Sequence, residues 1–456
     1  MNSYGKTIEF LYGARLFGMK LGLQNIRHIL DRLGCPEKRF FTVHIAGTNG
    51  KGSVAAMAES VLRKAGLKTG LFTSPHISSF RERFRINGEL IEADEVVRIV
   101  EMLLPIVEEM KSVADLEHPT FYELATAIAA QYFSEKGVEV AVFETGLGGR
   151  LDATNALPAK VSVITSIGLE HQKYLGDTIE EIAAEKAGII KEACSVVLSE
   201  QAPEAMTVLE EIASKRNARV SRVGKEITWS DYRMSGDTQA VDIRTQTRDY
   251  DEMICPLLGL HQVNNLCAAI GAVEALGDYS FNITEHAVRQ GIADMEWPAR
   301  FEIVRRGPTF VLDAAANPHA ARCLAETLEE WKRTDERVIL VFGMLNDKNC
   351  RGFAEIVAPL AHEIIVTEPE SERAVSAGEL SADVRQAGFR GEMQAVPVLS
   401  EALEAASERA VKEKDCVLVT GSLYLMGRAR EFLKIGSIEE DISLTDKLSD
   451  VRKEKL

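Results

Sequence analysis

The chain has 456 residues, a formal charge of −16 and 46% hydrophobic residues, enough for two domains with large cores. The acidic balance disfavours non-specific nucleic-acid binding, and no apolar run approaches the roughly 18 residues of a membrane span. The N-terminus lacks signal-peptide features, and the seven cysteines form no C-x-x-C pair, which argues against a disulfide framework or zinc ribbon. We therefore expect a cytoplasmic protein that binds neither nucleic acid nor a membrane.

Strands and helices alternate along the first part of the chain. An apolar run before Gly47 predicts a strand, and Val54, Ala58, Val61 and Leu62 fall on one face of a following helix. Further strands are predicted at residues 68–73, 138–143, 160–167 and 195–198, with helices at 93–110, 120–133 and from Thr178 through Ile190. The near-continuous apolar runs among them are typical of buried parallel strands.

The pattern changes after residue 220 and begins again near residue 297. Residues 220–256 mix polar, apolar and turn residues, which predicts antiparallel β structure, and a helix is predicted at 260–276. Beyond Trp297, strands are predicted at 301–304, 310–312, 338–342, 363–367 and 416–420, with helices at 318–331, 353–360, 377–386, 400–411 and 423–432. We predict domains at residues 1–297 and 298–435, and a charged, loosely held tail at 436–456.

The most informative segment follows the first predicted strand and reads Gly47-Thr48-Asn49-Gly50-Lys51-Gly52-Ser53. Its glycines let backbone N–H groups approach phosphate oxygens, and the N-terminus of the next helix favours negative charge. Lys51 adds a positive charge, and Ser53 offers a hydroxyl to a phosphate or its Mg²⁺. The spacing departs from the strict P-loop pattern, so a plain glycine turn is the alternative. We predict a nucleoside-triphosphate site, which by itself allows a kinase, a GTPase or a ligase.

Two more strand ends carry polar side chains. Glu144 ends the strand predicted at 138–143, and His171 follows the strand predicted at 160–167. Open α/β sheets bind ligands at the carboxyl ends of their strands, where a carboxylate can reach Mg²⁺. Both residues are therefore candidates beside the triphosphate, with an ordinary strand-end acid and a structural histidine as alternatives. Lys186, near the end of a predicted helix, is by itself typical of a surface lysine.

Together these segments resemble the folylpolyglutamate synthases and the bifunctional dihydrofolate/folylpolyglutamate synthases of the Mur ligase superfamily. The resemblance covers nearly the whole chain, and its motifs lie at residues 21–23, 47–53, 73–76, 82–88, 119–121, 146–155, 185–188, 258–262 and 421–425. It implies a P-loop-type, doubly wound, mostly parallel sheet in the N-terminal domain. A second, smaller Rossmann-like α/β domain would follow.

The resemblance also implies a role for individual residues. The residues implied to bind ATP are Thr48, Asn49, Gly50, Lys51, Gly52, Ser53, Asn265, Arg300 and Asp313. The implied Mg²⁺ ligands are Ser74, Glu144 and His171, with Ser53 close by, and the implied pterin-side residues are Phe121, Arg150 and Asp152. The implied catalytic residues are Lys51, Lys186 and His171, with Lys186 carbamylated by CO₂.

The activity implied is ATP- and Mg²⁺-dependent addition of L-glutamate to a folate-type carboxylate, either dihydropteroate, a tetrahydrofolate polyglutamate or both. An acyl phosphate would form first, and ADP and phosphate would be released by a monomeric enzyme. A Mur-type amide ligase with a non-folate acceptor is one alternative. A paralogue that binds ATP or folate with little turnover is the other.

The C-terminal part departs from the family pattern. Relatives usually have Asp-Gly-Ala-His-Asn-Pro where this chain has Asp313-Ala314-Ala315-Ala316-Asn317-Pro318. Further departures are Ala299 in place of glycine, Asn349 in place of aspartate and Glu372 in place of proline. Ala314 and Ala316 keep the low-activity alternative open. His319 is expected to face solvent at the start of its helix rather than to replace the missing histidine.

Overall fold

The computed structural model describes residues 3–14, 22–332, 336–411 and 415–435. The predicted tail and Leu21 of the first motif lie outside these residues. Two large, mostly parallel sheets with helices on their faces form an α/β architecture, as the sequence predicts. No helix in the described ranges combines the length and apolar character needed to cross a membrane.

The N-terminal domain is built on an eight-stranded sheet with the order β4-β3-β2-β5-β1-β6-β7-β8. Its strands are β1 (Phe41–Ala46), β2 (Thr69–Phe72), β3 (Phe84–Ile86), β4 (Glu89–Leu90), β5 (Val140–Glu144), β6 (Val161–Ile164), β7 (Ser195–Leu198) and β8 (Arg219–Arg222). Strands β2, β5, β1, β6, β7 and β8 are parallel, whereas β3 and β4 are antiparallel additions at one edge. The central strands are fully buried, which explains their apolar composition.

Ten helices in the described residues accompany this sheet. They are α1 (Tyr4–Gly13), α2 (Gln24–Arg32), α3 (Lys51–Lys64), α4 (Ala93–Met110), α5 (Phe121–Glu135), α6 (Gln172–Leu175), α7 (Ile179–Ala187), α8 (Pro203–Lys215), α9 (Leu260–Ala275) and α10 (Glu285–Ala293). The predicted helix at 93–110 is confirmed in both bounds. Capping boxes begin α5 at Thr120 and α7 at Thr178, and α7 ends at Ala187, before the predicted Ile190.

The predicted antiparallel region is a three-stranded sheet with the order β11-β10-β9. Its strands are β9 (Thr228–Ser235), β10 (Thr238–Arg244) and β11 (Asp249–Cys255). The prediction was wrong for residues 220–222, because β8 pairs parallel with β7 and extends the large sheet. The mixed polar character of β8 reflects its position at the sheet edge, where its residues are only half-buried or exposed.

The C-terminal domain has a six-stranded sheet with the order β12-β13-β17-β14-β15-β16, in which only β12 is antiparallel. Its strands are β12 (Glu302–Arg305), β13 (Thr309–Leu312), β14 (Arg337–Phe342), β15 (Glu363–Val366), β16 (Glu392–Ala395) and β17 (Asp415–Thr420). Its helices are α11 (Pro318–Trp331), α12 (Cys350–Val357), α13 (Ala377–Gln386), α14 (Leu399–Arg409) and α15 (Leu423–Phe432). The predicted helices at 318–331, 377–386 and 423–432 are confirmed in both bounds.

Both sheets direct the carboxyl ends of parallel strands toward the space between the domains. In the large sheet, the segments after β1, β2, β5 and β6 meet at one edge. The segment after β13 comes close to the loop after β1, because Asn317 and Asn49 are hydrogen-bonded across the domains. The candidate residues at these strand ends therefore gather in one inter-domain site.

Candidate active site

The loop between β1 and α3 is anchored to the end of β6. The backbone N–H groups of Thr48 and Asn49 donate to the Ser166 carbonyl oxygen at 2.9 and 3.3 Å, and the Thr48 hydroxyl contacts Gly168. Gly50 precedes α3 with φ of +90°, and a Cβ there would lie 2.3 Å from Asn265 Oδ1. Only glycine fits this position, so the backbone approaches α9 closely.

Two lysine side chains converge on one backbone oxygen of this loop. Lys51 Nζ donates to the Gly47 and Thr48 carbonyl oxygens at 3.0 and 3.1 Å. Lys186 Nζ, from α7, donates to the same Gly47 oxygen at 2.7 Å. Lys186 is only 3% exposed, so its interpretation as a surface lysine was wrong. Burial, with the Lys51 charge as a second cause, lowers the pKa of Lys186 to about 7.

Glu144 connects the ends of β5 and β2. Its Oε2 accepts the backbone N–H of Ser74 at 3.0 Å, and the Tyr122 hydroxyl donates to its carbonyl oxygen at 3.0 Å. Burial raises the pKa of the Glu144 carboxyl, and the Lys51 charge opposes that rise. The structure thus brings Glu144 and Ser74 together, as the resemblance implies.

His171 lies in a small charged cluster after β6. Its Nε2 is 3.5 Å from Glu170 Oε1, and Lys348 Nζ of the C-terminal domain is 3.4 Å from the same oxygen. Burial alone would raise the pKa of Glu170, but the charges of Lys51 and Lys348 hold it below its ordinary value. Burial lowers the pKa of His171. Sequence reasoning missed Glu170, although its place beside His171 in a strand-end segment was a usable signal.

Asn49 of the loop bonds to two residues of the C-terminal domain. Its Nδ2 is 3.3 Å from Asn317 Oδ1 and 2.8 Å from His319 Nδ1, while Asn317 Nδ2 donates to Asn49 Oδ1 at 3.0 Å. The expectation that His319 faces solvent was wrong, because the first turn of α11 directs it at the loop. Asn317 caps this helix by accepting the Ala320 N–H at 2.8 Å. Sequence reasoning missed both contacts.

Asp313 and Arg300 lie on the C-terminal side of the site. Asp313, directly after β13, accepts the backbone N–H groups of Phe301 and Ala315 at 2.8 Å each, and burial raises its pKa. Arg300 Nη1 donates to the Ala299 carbonyl oxygen at 2.9 Å. Asp313 thereby fixes the backbone directly after Arg300 and directly after the end of β13.

Phe121 stands apart from the loop in an aromatic cluster at the start of α5. Its ring stacks on Tyr12 with centroids 5.4 Å apart, and Phe80 packs edge-on against it. The Arg83 guanidinium lies 5.1 Å from the Phe121 ring centroid and donates to His76 Nδ1 at 2.9 Å. The cluster combines aromatic faces with a cation, which suits a flat heterocycle.

Asp152 and Arg150 both make contacts within the protein. Asp152 is buried, and its Oδ2 accepts the backbone N–H groups of Gly146 and Leu147 at 2.9 Å each. Arg150 is half exposed and pairs with Glu185 at 2.8 Å. Asp152 therefore shapes the glycine segment after β5, and Arg150 ties that segment to α7.

Comparison with known proteins agrees with this geometry. Residues 45–273 match the Mur ligase middle domain, and residues 299–423 match the Mur ligase glutamate ligase domain. The dihydrofolate synthase/folylpolyglutamate synthase of Bacillus subtilis is 34% identical over 95% of this chain and 99% of the relative. The chain belongs to the dihydrofolate synthase/folylpolyglutamate synthase family. It is an α/β ligase-family protein over nearly its whole length.

Solved structures of this family superpose on the chain. The Mycobacterium tuberculosis folylpolyglutamate synthase complexed with ADP and AMPPCP has a TM-score of 0.86 and 32% identity, covering 94% of this chain and 99% of its own. The Escherichia coli family member in complex with DHPP and ADP has a TM-score of 0.83 and 29% identity, covering 94% and 97%. Both domains of the chain are therefore represented in family structures.

Three of the departures from the folylpolyglutamate synthase pattern, Ala299, Ala314 and Ala316, lie near Asp313. Ala299, where the family is expected to have glycine, has φ of +58°, and its carbonyl oxygen accepts the Ala314 N–H at 3.0 Å. A non-glycine residue at positive φ costs about 1 kcal/mol or more. Ala316 has no polar side-chain atom, whereas His319, three residues further on, contacts Asn49.

Proposed function

We propose that this chain is an ATP-dependent ligase that joins L-glutamate to a folate-type carboxylate, either dihydropteroate, a tetrahydrofolate polyglutamate or both. The observation that carries the proposal is the loop after β1, where Lys51 and the buried Lys186 share the Gly47 oxygen. That loop faces a C-terminal domain that matches the glutamate ligase domain of Mur ligases. Relatives similar over 95% of the chain are named for both activities.

An amide bond requires activation of the acceptor, because a carboxylate is a poor electrophile. Transfer of the ATP γ-phosphoryl group gives an acyl phosphate and ADP, and the glutamate amine then displaces phosphate. Lys51 stabilises the transferring group by moving its ammonium from the loop carbonyl oxygens to the phosphate oxygens. The C-terminal domain covers the site and keeps out water, which would hydrolyse the acyl phosphate.

The nucleotide is held from three directions. The loop residues proposed to bind its phosphates are Thr48, Asn49, Gly50, Lys51, Gly52 and Ser53. Asn265, which donates to Gln262 Oε1 at 2.9 Å, contacts the nucleotide from α9. Arg300 and Asp313 contact it from the C-terminal domain. The hydrogen bonds between Asn49 and α11 support this arrangement, because they bring the two sides of the nucleotide together.

The residues at the strand ends suit Mg²⁺ carried by the triphosphate. Among the described residues, no group of three His, Cys, Asp or Glu side chains forms a protein-only metal site. Mg²⁺ typically needs one or two carboxylates together with substrate phosphates, and the buried Glu144 supplies one. The proposed ligands are Ser74, Glu144 and His171, with Ser53 nearby. Mg²⁺ bound there would neutralise charge on the transferring phosphoryl group.

Lys186 is proposed as a carbamylated lysine. Reaction with CO₂ requires a neutral amine, and burial lowers the pKa of Lys186 to about 7. The carbamate would present an oxygen donor near the phosphate loop in place of an ammonium. Its proximity to Gly47 O supports a catalytic part for Lys186, beside Lys51 and His171.

The aromatic cluster at the start of α5 is the proposed pterin site. Phe121 would stack on the pterin, supported by its aromatic and cationic neighbours, with Arg150 and Asp152 shaping the adjoining segment.

Residues 1–297 would form the ATP-binding domain with the pterin site, residues 298–435 the ligase domain and residues 436–456 a tail. We propose a cytoplasmic monomer that binds neither nucleic acid nor membranes.

A phosphate-release assay tests the reaction. The protein is incubated with ATP, MgCl₂ and L-glutamate, together with dihydropteroate in one series and tetrahydrofolate in another. We expect phosphate release that depends on both glutamate and the acceptor, with the product identified by mass. In Lys51→Met, kcat should fall at least about a hundredfold, because the transferring phosphoryl group loses its cation.

The two series also decide between the remaining possibilities. Release with one acceptor alone assigns that single activity to the chain. Absence of release with both acceptors would contradict the proposal. A Mur-type ligase with another acceptor would then show ATP binding and turnover only with a different carboxylate, and a low-activity paralogue would show binding without turnover.

A further inference from the structure

His44 is a fully buried polar side chain on β1, the strand that leads into the phosphate loop. Its exposed fraction is 0%, and β1 lies between β5 and β6 inside the large sheet. Burial, with the Lys191 charge as a second cause, lowers the pKa of His44 to about 3, so the imidazole is neutral. A neutral imidazole has one N–H donor and one acceptor nitrogen. Burial of such a group is costly unless it is hydrogen-bonded, so its partner indicates its role.

The partner of His44 is the hydroxyl of Thr154. His44 Nε2 lies 2.7 Å from Thr154 Oγ1, whereas Nδ1 is buried and has no hydrogen-bond partner among the described residues. The Thr154 hydroxyl donates to Asp152 Oδ1 at 2.5 Å. A hydroxyl has a single proton, so Thr154 accepts the hydrogen bond from His44. The Nε2 atom of His44 therefore carries the imidazole proton.

This chain of hydrogen bonds ends at the carboxylate of Asp152. Oδ1 of Asp152 also accepts the Thr154 N–H at 3.0 Å, and Oδ2 accepts the N–H groups of Gly146 and Leu147 at 2.9 Å each. Burial raises the pKa of this carboxyl, and the four hydrogen bonds oppose that rise. Because an ionised carboxylate only accepts hydrogen bonds, the direction of the chain runs from His44 through Thr154 to Asp152.

The backbone segment that Asp152 holds connects two residues of the candidate active site. Residues 146–149 follow closely after Glu144 at the end of β5. A Cβ on Gly149 would lie 2.7 Å from the carbonyl oxygen of Lys186, so the segment packs against the last turn of α7. By accepting the first two N–H groups of the segment, Asp152 fixes its path between Glu144 and Lys186.

We propose that His44 is a positioning residue that acts through Thr154 and Asp152. The Nε2–H of His44 fixes the Thr154 hydroxyl on the carboxylate of Asp152. That carboxylate holds the segment after β5, which keeps Glu144 and Lys186 in their relative places beside the phosphate loop. The inference rests on the proposed function, in which Glu144 and Lys186 act at the transferring phosphoryl group.

Two substitutions at His44 separate the roles of the two ring nitrogens. His44→Gln places an amide near the position of Nε2, whereas His44→Asn places one near the position of Nδ1. In steady-state phosphate release, we expect His44→Asn to lower kcat about tenfold with KM values little changed, because Thr154 loses its donor. His44→Gln should recover most of that loss, since its amide can donate to Thr154.

Substitutions at Thr154 test the next link of the chain. Thr154→Val removes the hydroxyl and should lower kcat about tenfold, whereas Thr154→Ser keeps a hydroxyl and should recover most of the loss. Thr154→Val combined with His44→Asn should cause no further loss, because both substitutions break the same chain. This pair also keeps the inference testable if a His44 variant fails to fold.

Thr42→Val is the matched control on the same strand. Thr42 lies two residues before His44, is 1% exposed, and its hydroxyl has no hydrogen-bond partner among the described residues. Its loss changes a buried hydroxyl on β1 without touching the chain that ends at Asp152. We therefore expect Thr42→Val to keep the kcat of the unaltered protein.

NMR of protein with ¹⁵N-labelled histidine tests the tautomer without any measurement of activity. The His44 signals, identified by their loss in His44→Gln, should show the proton on Nε2. A proton on Nδ1 would overturn the inference, as would equal kcat values in His44→Gln and His44→Asn or a change confined to a KM. Failure of the proposed function is recognised separately, because the unaltered protein would then release no phosphate whatever the tautomer of His44.

Discussion

At the scale of single residues, the most consequential contact is the one that two ammonium groups make with the Gly47 oxygen. Lys51 and Lys186 approach it at 3.0 and 2.7 Å, and only Lys186 is almost completely buried. Its removal from water disfavours the charged form, and the neighbouring Lys51 charge disfavours it further. Lys186 is therefore able to change its charge near neutral pH while Lys51 carries the positive charge of the loop.

The lowered pKa of Lys186 predicts how the free energy of unfolding changes with pH. The folded-state pKa of Lys186 is about 7, against 10.5 for an ordinary lysine. Between these values the unfolded chain binds more protons, so this group makes stability rise with pH. Lys186→Met removes the titration. From pH 7 to 9, the free energy of unfolding of the unaltered protein should rise relative to the variant by up to ~1.4 kcal/mol per pH unit.

Urea unfolding at several pH values in CO₂-free buffer measures the difference. Lys215→Met is the matched control, because that lysine is largely exposed on α8 and its loss should leave the pH profile parallel to that of the unaltered protein. A constant difference between the unaltered protein and Lys186→Met from pH 7 to 9 would show that Lys186 does not titrate in this range.

At the scale of elements, the junction of β1 and α3 depends on a glycine for two separate reasons. Gly50 has φ of +90°, and a Cβ there would lie 2.3 Å from Asn265 Oδ1. Gly66 has a similar φ of +86°, but a Cβ there would meet no atom within 4 Å. A comparison of Gly50 with Gly66 therefore separates the effect of backbone strain from the effect of a steric clash.

Gly50→Ala and Gly66→Ala should therefore differ. Both substitutions strain the backbone by about 1 kcal/mol, but only Gly50→Ala pushes the loop away from α9. We expect Gly66→Ala to lower stability slightly and to keep the KM for ATP, and Gly50→Ala to raise that KM at least about tenfold. Thermal unfolding and ATP kinetics measure the two effects. Equal KM values in the two variants would contradict the close approach of Gly50 to Asn265.

The sequence predicted elements best where their ends carry local signals. Capping residues at Asn317, Ser376 and Ser422 begin α11, α13 and α15 at the predicted residues. Helices α1, α2, α6, α8 and α10 were not predicted, since short helices depend on packing that a local pattern does not contain. In α10, for example, a Cβ on Gly291 would lie 2.4 Å from Val61 Cα of α3.

The residues of the candidate active site also divide into those with a local sequence signal and those that depend on tertiary packing. Glu144 and His171 could be predicted because the carboxyl ends of parallel strands share an edge, and the sheet order confirms that β5, β1 and β6 are neighbours. The burial of Lys186 and the direction of His319 could not, because each depends on a partner more than a hundred residues away. The ligand roles of these residues stay predictions.

At the scale of the whole molecule, the two domains are joined through Asn49, a residue of the loop after β1. Its side chain bonds to Asn317, the N-cap residue of α11, and to His319 in the first turn of that helix. The salt bridge between Glu170 and Lys348 adds a second link from the same edge. The loop conformation and the domain arrangement are therefore coupled.

His319→Ala should weaken this coupling without unfolding the protein. Loss of one hydrogen bond to Asn49, worth about 1 kcal/mol, should lower kcat/KM for ATP about fivefold with little change in Tm. His319→Gln offers another hydrogen-bonding side chain and should recover part of the loss. A His319→Ala variant with unchanged ATP kinetics would mean that Asn317 alone positions Asn49.

The hydrogen bonds of Lys51 to Gly47 and Thr48 also affect which ligands the loop can select. The Lys51 ammonium donates to two carbonyl oxygens of its own loop, so this loop is preorganised. A ligand draws the lysine away only if it offers acceptors stronger than neutral carbonyls, which phosphate oxygens are. A nucleoside without phosphates leaves the internal bonds intact and gains nothing from Lys51. Under the proposed function, the loop distinguishes nucleotides from nucleosides by this exchange of hydrogen bonds at Lys51.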